Sequence, residues 1–240
     1  MKRSLLIAGA LLFWLGILVQ LFLSGAVVWG EVEARVHISQ TGDSGLDLRC
    51  PIMLSPVESG TISASITNTL DENTSPVITS DISSVSGDQQ ASQTLSLAAH
   101  ETQIVHWKVA ASDIVFGRLI LVNITQARYS NLPSHQGACG IFVLSFLGLS
   151  GSETFDLLFA LSLAGILLGG ISWLRGHSPL DDWTISIVTA SSTLTAFTTA
   201  GMLTALPRWW GLIMFFDVVA LILLSVVLTE FILFPVHKEN

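Results

Sequence analysis

The sequence is poor in charged residues. Aspartate, glutamate, lysine and arginine make up 12% of the 240 residues, whereas a soluble domain usually carries about 25%. Hydrophobic residues make up 50% of the chain. This balance, together with long apolar runs, predicts a protein of the lipid bilayer.

Basic residues are the scarcest of the charged ones. The chain has 10 lysines and arginines against 18 aspartates and glutamates, so its formal net charge is −8. Nucleic-acid surfaces need clustered lysine and arginine, and nucleic acid is therefore not expected as a partner. The same scarcity argues against a polybasic grip on anionic lipid headgroups.

Motifs that carry chemistry are also missing. The sequence has no phosphate-binding loop, no nucleophile elbow and no zinc-protease motif. No histidine lies in a predicted membrane run, which argues against a membrane haem. His106 and Asp113 lie close in sequence, but no nucleophile accompanies them, and His106 is expected to face solvent. We therefore predict a protein that is not an enzyme and has no catalytic residue, cofactor or metal site.

Four apolar runs are long enough to cross a membrane, because about 20 apolar residues span a hydrocarbon core of about 30 Å. The first could instead be a cleaved signal peptide, since Ser24, Gly25 and Ala26 resemble a cleavage site. It is longer than the usual signal core of about 7–15 residues. We therefore expect residues 1–30 to be an anchor and residues 150–240 a three-helix transmembrane region. The runs are Leu5–Trp29, Leu157–Leu174, Trp183–Leu206 and Leu212–Phe234.

The distribution of basic residues predicts the orientation of these spans. If four helices alternate in direction, Lys2, Arg3, Arg175 and Lys238 fall on one side and Arg208 on the other. Short cytoplasmic segments carry the excess of lysine and arginine. We expect a multi-pass protein of the plasma membrane with cytoplasmic N- and C-termini, and with residues 31–153 exported.

Residues 31–149 have the pattern of an all-β sandwich. Apolar and polar residues alternate with a period of two, which is typical of strands with one buried face. The alternation is clearest in 31–38, 62–67 and 104–109, and turn residues separate these runs from further short apolar ones. Ser152 is a plausible N-cap for the helix that follows the sandwich.

Two segments of this region resemble exported bacterial immunoglobulin-like domains. Gly60–Asn68 reads GTISASITN, and residues 96–107 read SLAAHETQIVHW. In such domains a strand ending in Thr-Asn is followed by a turn of the type Leu, small, small, polar, Glu, Thr. The turn here carries Ala99 and His100 where the family has glycine. The resemblance implies a sandwich fold and a binding, adhesive or spacer role.

The two cysteines, Cys50 and Cys139, both lie in this exported region. An even number of cysteines in an exported segment favours a disulfide. The alternatives are two free thiols or a metal site, but two cysteines fall short of the four ligands of structural zinc. We predict a Cys50–Cys139 disulfide that joins the early part of the sandwich to its exit strand.

Asp217 is the most conspicuous polar residue in a predicted span. An acid inside the membrane is costly and suggests a function by default. One hypothesis is an ion or proton site formed with Thr198 and Thr199 of the preceding helix. The alternative is a structural role, with Asp217 accepting hydrogen bonds from these hydroxyls or pairing with Arg208.

Gly165, Gly169 and Gly170 form a small-residue face on the second span. Residues with this spacing allow two helices to approach closely. The face is expected to pack against a sister helix or a partner subunit.

Three functional hypotheses remain. The first is a non-catalytic accessory or scaffolding subunit of a larger membrane complex, for example a bioenergetic one, with other membrane subunits and the lipid bilayer as partners. The second is a stand-alone surface module for adhesion or envelope structure. The third is a small ion-coupled transporter that uses Asp217.

Overall fold

The computed structural model describes residues 2–36, 43–84, 89–127, 133–176, 182–205 and 209–233. These residues separate into two compact units, Met1–Val28 with Asp156–Asn240 and Trp29–Phe155. The first unit is helical, and the second contains the β-strands. The helices are α1 Lys2–Val36, α2 Gly151–Gly176, α3 Asp182–Ala205 and α4 Trp210–Leu233. The strands are β1 Asp43–Ser44, β2 Asp47–Arg49, β3 Met53–Leu54, β4 Gly60–Thr67, β5 Val77–Ile82, β6 Gln89–Thr94, β7 Thr102–Val109, β8 Leu119–Gln126 and β9 His135–Val143.

The strands form two sheets that share one core. One sheet has the order β1-β9-β8-β5-β6, with β3 also paired to β9, and the other has the order β2-β4-β7. In β4 the side chains of Ile62, Ala64 and Ile66 are fully buried and alternate with more exposed polar residues. They pack with Ile78 and Ile124 of the larger sheet. A β-sandwich is therefore present, as the period-two pattern predicted.

The first strands cross between the sheets. β1 and β3 both pair in parallel with β9, whereas β2, which lies between them in sequence, pairs antiparallel with β4. The chain thus visits the larger sheet, the smaller sheet and the larger sheet again within residues 43–54. This path brings the segment after β2 next to both sheets.

The predicted strand at residues 31–38 is wrong, because α1 continues to Val36. Glu31 and Ala34 are buried one helical turn apart, while Val36 is exposed. Arg35 lies 3.9 Å from Glu31 in an i,i+4 ion pair. A helix that has already formed extends at little cost, and i,i+4 pairs stabilise it further.

The predicted N-cap at Ser152 is also wrong, because α2 starts at Gly151, and Ser150, two residues before Ser152, caps it. The Glu153 N–H donates to Ser150 Oγ at 3.3 Å. The Ser150 N–H donates in return to Glu153 Oε2 at 3.0 Å. This reciprocal pair is a capping box.

Each of the four helices contributes to one apolar cluster in the helical unit. Ile17, Ile166, Leu194 and Ala220 come from α1, α2, α3 and α4 respectively, and all are buried. Among the described helices, the segments Ile7–Val36 and Gly151–Arg175 are long and apolar enough to cross a membrane. Many large apolar side chains of α2 and α4 are exposed, among them Leu167, Leu168, Phe215 and Ile222.

Candidate functional site

In the part of the chain that the structure describes, the hydrogen bond of Asp217 in α4 goes to the first helix. Ser24 Oγ donates to Asp217 Oδ1 at 2.8 Å, and Ser24 is buried. A hydroxyl–carboxylate bond of this kind is stronger than one between neutral groups. It links two helices whose contacting residues lie 193 positions apart in sequence.

The predicted partners of Asp217 lie nearby but bond elsewhere. Thr198 Oγ1 donates to the Thr195 carbonyl of its own helix at 3.1 Å. Thr199 Oγ1 lies 3.4 Å from Gln20 Oε1 of α1. A methyl group built on Gly201 would lie 3.3 Å from Asp217 Oδ1, so Asp217 is level with Gly201. Arg208, the other predicted partner, lies outside the described residues.

Gln20, Ser24, Thr199 and Asp217 together form a polar cluster inside the helical unit. Gln20 is fully buried, and its Nε2 has no hydrogen-bond partner among the residues that the structure describes. Neither Gln20 nor Ser24 was predicted to lie near Asp217. The available signal was two polar residues at i,i+4 inside an apolar run, which places both on one helix face. The cluster can hold α1, α3 and α4 together, or offer oxygens to a small cation or proton.

Gly165 and Gly169 pack against a sister helix. A methyl group built on Gly169 would lie 2.6 Å from the Gly9 carbonyl oxygen of α1, and one on Gly165 would lie 3.0 Å from the Leu12 carbonyl oxygen. One built on Gly16 would lie 2.6 Å from the Ser162 carbonyl oxygen. Both helices therefore supply glycine to this close contact. The glycines of α1, Gly9 and Gly16, were not predicted to take part.

Gly170 does not take part in that contact. A methyl group built on it would meet no atom within 4 Å. It lines an apolar cleft of about 320 Å³ between α1, α2 and α3, together with Trp14, Ile171, Ile187 and Ser191. Of the three glycines, Gly165 and Gly169 thus contact α1, and Gly170 borders the cleft.

The disulfide in the β-unit bridges the two sheets. Cys50 follows β2 of the smaller sheet, and Cys139 lies in β9 of the larger one. Their Cα atoms are 6.6 Å apart, and they are separated by 89 positions. In the chain-entropy model a loop of this length contributes about 4–5 kcal/mol to the free energy of unfolding.

His106 and Asp113, which are close in sequence, do not form a catalytic dyad. His106 is on the exposed face of β7. Asp113 is buried, and its carboxylate accepts the Ala110 N–H at 2.8 Å and the Ser112 hydroxyl at 2.9 Å. It thus holds a short helical turn. Among the described residues no group of three or more histidine, cysteine, aspartate or glutamate side chains could hold a metal ion.

No protein-family model matches the chain, and no curated protein matches it. Solved structures show partial likenesses. A Paenibacillus cycloisomaltooligosaccharide glucanotransferase is 21% identical with a TM-score of 0.35, over 44% of this chain and 14% of the enzyme. A Listeria innocua β-glucosidase is 17% identical with a TM-score of 0.32, over 43% of this chain and 16% of the enzyme.

A third likeness is to a separate domain. The CARDB domain of a Pyrococcus furiosus protein, solved with di-metal ions, is 12% identical with a TM-score of 0.33, over 45% of this chain and 99% of the domain. The chain spans about one seventh of the length of the glucanotransferase. At these sequence identities and TM-scores, the similarities do not indicate an activity, a substrate or a metal for this chain.

Proposed function

We propose that this protein is a non-catalytic accessory subunit of a larger membrane complex. In this proposal four helices cross the plasma membrane, both termini are cytoplasmic, and the immunoglobulin-like sandwich of residues 31–153 is exported to dock on partners. The observation that carries the proposal is the cleft beside Gly170, because it is an apolar concavity on a helix whose Gly165 and Gly169 are already packed against α1.

We infer four spans, two more than length and hydropathy alone assign, from the lengths and packing of α3 and α4. α3 and α4 have 24 residues each, which is about 36 Å at 1.5 Å per residue, enough to cross a core of about 30 Å. Both share a buried cluster with α1 and α2. Polar groups such as Gln20 and Ser24 lie inside while large apolar residues lie outside, which is the arrangement expected in lipid.

Several acidic groups that could take part in chemistry have structural hydrogen bonds. Asp113 holds a helical turn, Glu101 accepts the Ala98 N–H, and Glu153 caps α2. Small residues beside an open cleft are what a partner helix needs for close approach. A scaffolding role therefore fits these contacts better than a reaction does.

The test is a pull-down of the tagged full-length protein from its native membrane in mild detergent, followed by mass spectrometry. We expect stoichiometric membrane partners. Gly170→Leu, which fills the cleft, should reduce their yield at least fivefold, whereas Leu161→Ala, on the exposed surface of the same helix, should not. A protein that runs alone would contradict the proposal and favour a stand-alone surface module.

A second candidate, an ion-coupled transporter, is favoured by one observation. The buried Gln20 amide, with no described partner for Nε2, lies in the same cluster as the Asp217 carboxylate. Reconstituted vesicles would then show an ion flux that Asp217→Asn abolishes. Equal flux through wild type, variant and empty vesicles would exclude this candidate.

A further inference from the structure

Three turns of the β-unit leave the larger sheet at the same end. β3 pairs in parallel with β9 so that Leu54 is opposite Val143, and β8 starts at Leu119, opposite Phe142. The turns at 55–58, 115–118 and 146–149 therefore adjoin one sheet end. This end is called the α2 end here, because α2 starts from it at Gly151.

Hydrogen bonds fix these turns to their neighbours. The Val143 N–H donates to the Arg118 carbonyl at 2.8 Å. Glu58 Oε2 accepts the Ser55 N–H at 3.0 Å and the Gly151 N–H at 2.7 Å. The Glu58 carboxylate thus ties the first turn to the first residue of α2.

Each turn carries one large apolar side chain at its tip. Val57 is 94% exposed, Phe116 62% and Leu147 81%. Phe116 and Leu147 both have φ of 52°, and each precedes a glycine that also has positive φ. This region costs an L-residue about 1–2 kcal/mol and is rarely occupied by bulky apolar residues. Because both side chains are exposed, burial within the protein offsets little of this conformational cost.

The chain enters a membrane helix directly after these tips. Leu147 is four positions before Gly151, and Gly151–Arg175 is, among the described helices, one of those long and apolar enough to span. The first predicted membrane residue, Leu157, is six positions further, or about 9 Å along the helix. The interfacial layer on each side of a bilayer is about 5–8 Å thick. If α2 spans the membrane, its first residues lie at the depth of that layer, and Gly151–Phe155 belong to the same compact unit as the strands.

The other connection to an apolar helix meets the same sheet end. Trp29 of α1 contacts Phe142, with ring centroids 6.4 Å apart, and Phe142 is one of the last residues of β9. Tryptophan is enriched at membrane–water interfaces. Both connections to the apolar helices thus adjoin the end that carries the three tips.

We infer that Val57, Phe116 and Leu147 form a lipid-contact surface that inserts into the headgroup–acyl boundary of the leaflet on the sandwich side. The inference rests on the proposal that α1 and α2 cross the membrane. Charge contributes little, because the exposed Arg118 is accompanied by the exposed acids Glu153 and Asp156. Zwitterionic phosphatidylcholine should therefore be sufficient, since apolar burial carries the contact.

The experiment uses the purified full-length protein in phosphatidylcholine nanodiscs. Val57→Cys and Leu147→Cys are labelled with an environment-sensitive fluorophore under non-reducing conditions that keep the native disulfide. The matched control is Ile104→Cys, an exposed apolar residue of β7. Ile104 pairs with Ser65 of β4, which is five positions from Gly60. Gly60 contacts Leu54 at the α2 end. Ile104 therefore lies about 17 Å from that end.

We expect the labels at 57 and 147 to emit at shorter wavelength than the label at 104. Spin-labelled phosphatidylcholine should quench them at least threefold more, and iodide at least threefold less. Equal iodide quenching at all three positions would overturn the inference. Shielding that appears only in native membranes, and not in nanodiscs, would also overturn it, because a protein partner would then cover the tips.

Failure of the underlying membrane proposal is recognised separately. If alkaline carbonate extracts the protein from membranes, α1 and α2 do not span, and both proposals are wrong. If the protein resists extraction but the labels at 57 and 147 report water, only the lipid-contact surface is wrong.

Discussion

The side-chain amide of Asn68 donates a 2.8 Å hydrogen bond to the Ala98 carbonyl oxygen. This bond joins the two sequence segments that resemble exported immunoglobulin-like domains. The Asn68 N–H also donates to the Glu101 carbonyl at 2.9 Å, and Glu101 Oε2 accepts the Ala98 N–H at 2.7 Å. The end of β4 and the turn before β7 therefore form one hydrogen-bonded unit.

Replacing Asn68 should loosen this unit. Asn68 is fully buried and also donates to the Glu72 carbonyl at 2.7 Å, so Asn68→Ala removes both side-chain hydrogen bonds and leaves space in the core. We expect a loss of about 1–3 kcal/mol in the free energy of unfolding. Hydrogen-exchange mass spectrometry should show faster exchange in residues 95–107.

The exposed Asn73, in the same turn region, is the matched control. Asn73→Ala should leave exchange unchanged. Equal acceleration in both variants would mean that the Asn68 side chain has no specific role.

His100 occupies a backbone position that suits glycine. Its φ is 58°, in the left-handed region that glycine adopts at no steric cost. Its Nε2 lies 2.8 Å from Asp71 Oδ1, but an exposed polar pair of this kind contributes only about 0–1 kcal/mol. His100→Gly and His100→Ala both remove this pair, and only glycine removes the backbone cost.

We therefore expect His100→Gly to be more stable than His100→Ala by about 1 kcal/mol. The measurement is the thermal unfolding midpoint of the full-length protein in detergent. A midpoint for the alanine variant at or above that of the glycine variant would show that φ at this position is not strained.

The alternating sequence pattern predicted the strands that bury one face. It did not predict strands without a buried apolar face. β4 was predictable because Ile62, Ala64 and Ile66 alternate with polar residues. β6 at Gln89–Thr94 was missed because it is an almost entirely polar edge strand, held by its backbone pairing with β5. Edge pairing of this kind leaves no hydrophobic period in the sequence.

The error at residues 31–38 has a different origin. Val32, Ala34 and Val36 fit a period of two, but only Ala34 among them is buried. Continuity with α1 decided the local structure, and a window restricted to these residues could not show it.

The partners of Asp217 were missed for a related reason, because Gln20 and Ser24 come from a distant helix whose packing against α4 depends on tertiary structure. Two of the turns predicted between strands comprise residues 86–88 and 131–133, and of these 86–88 and 131–132 lie outside the described residues.

Gly169 and Gly170 are neighbours with opposite surroundings, which makes them a matched pair. Gly169→Ala places a methyl group against the backbone of α1, and overpacking of this kind costs about 1–3 kcal/mol. Gly170→Ala meets no atom within 4 Å and should gain up to about 1 kcal/mol in helix propensity. Thermal unfolding in detergent should place the two variants on opposite sides of wild type. Similar midpoints would contradict the close contact between α1 and α2.

The Ser24–Asp217 bond can be measured with a double-mutant cycle. Ser24→Ala and Asp217→Ala each break it, and the coupling between them should be about 0.6–2 kcal/mol, the range for interhelical polar contacts. Additive effects, within about 0.3–0.5 kcal/mol, would show that the two side chains do not interact. Ser162→Ala is the control, because the Ser162 hydroxyl donates to the Phe159 carbonyl of its own helix at 2.7 Å.

Asp217→Asn then separates the structural role from the ionic one. The asparagine side chain keeps a carbonyl oxygen that can accept the Ser24 hydroxyl, but it has no ionisable carboxyl group. If Asp217 serves to hold α1 against α4, the variant should keep most of the coupling with Ser24 and still co-purify with the same partners. A variant that folds and binds its partners but loses an ion flux present in wild type would show instead that the carboxylate itself is needed.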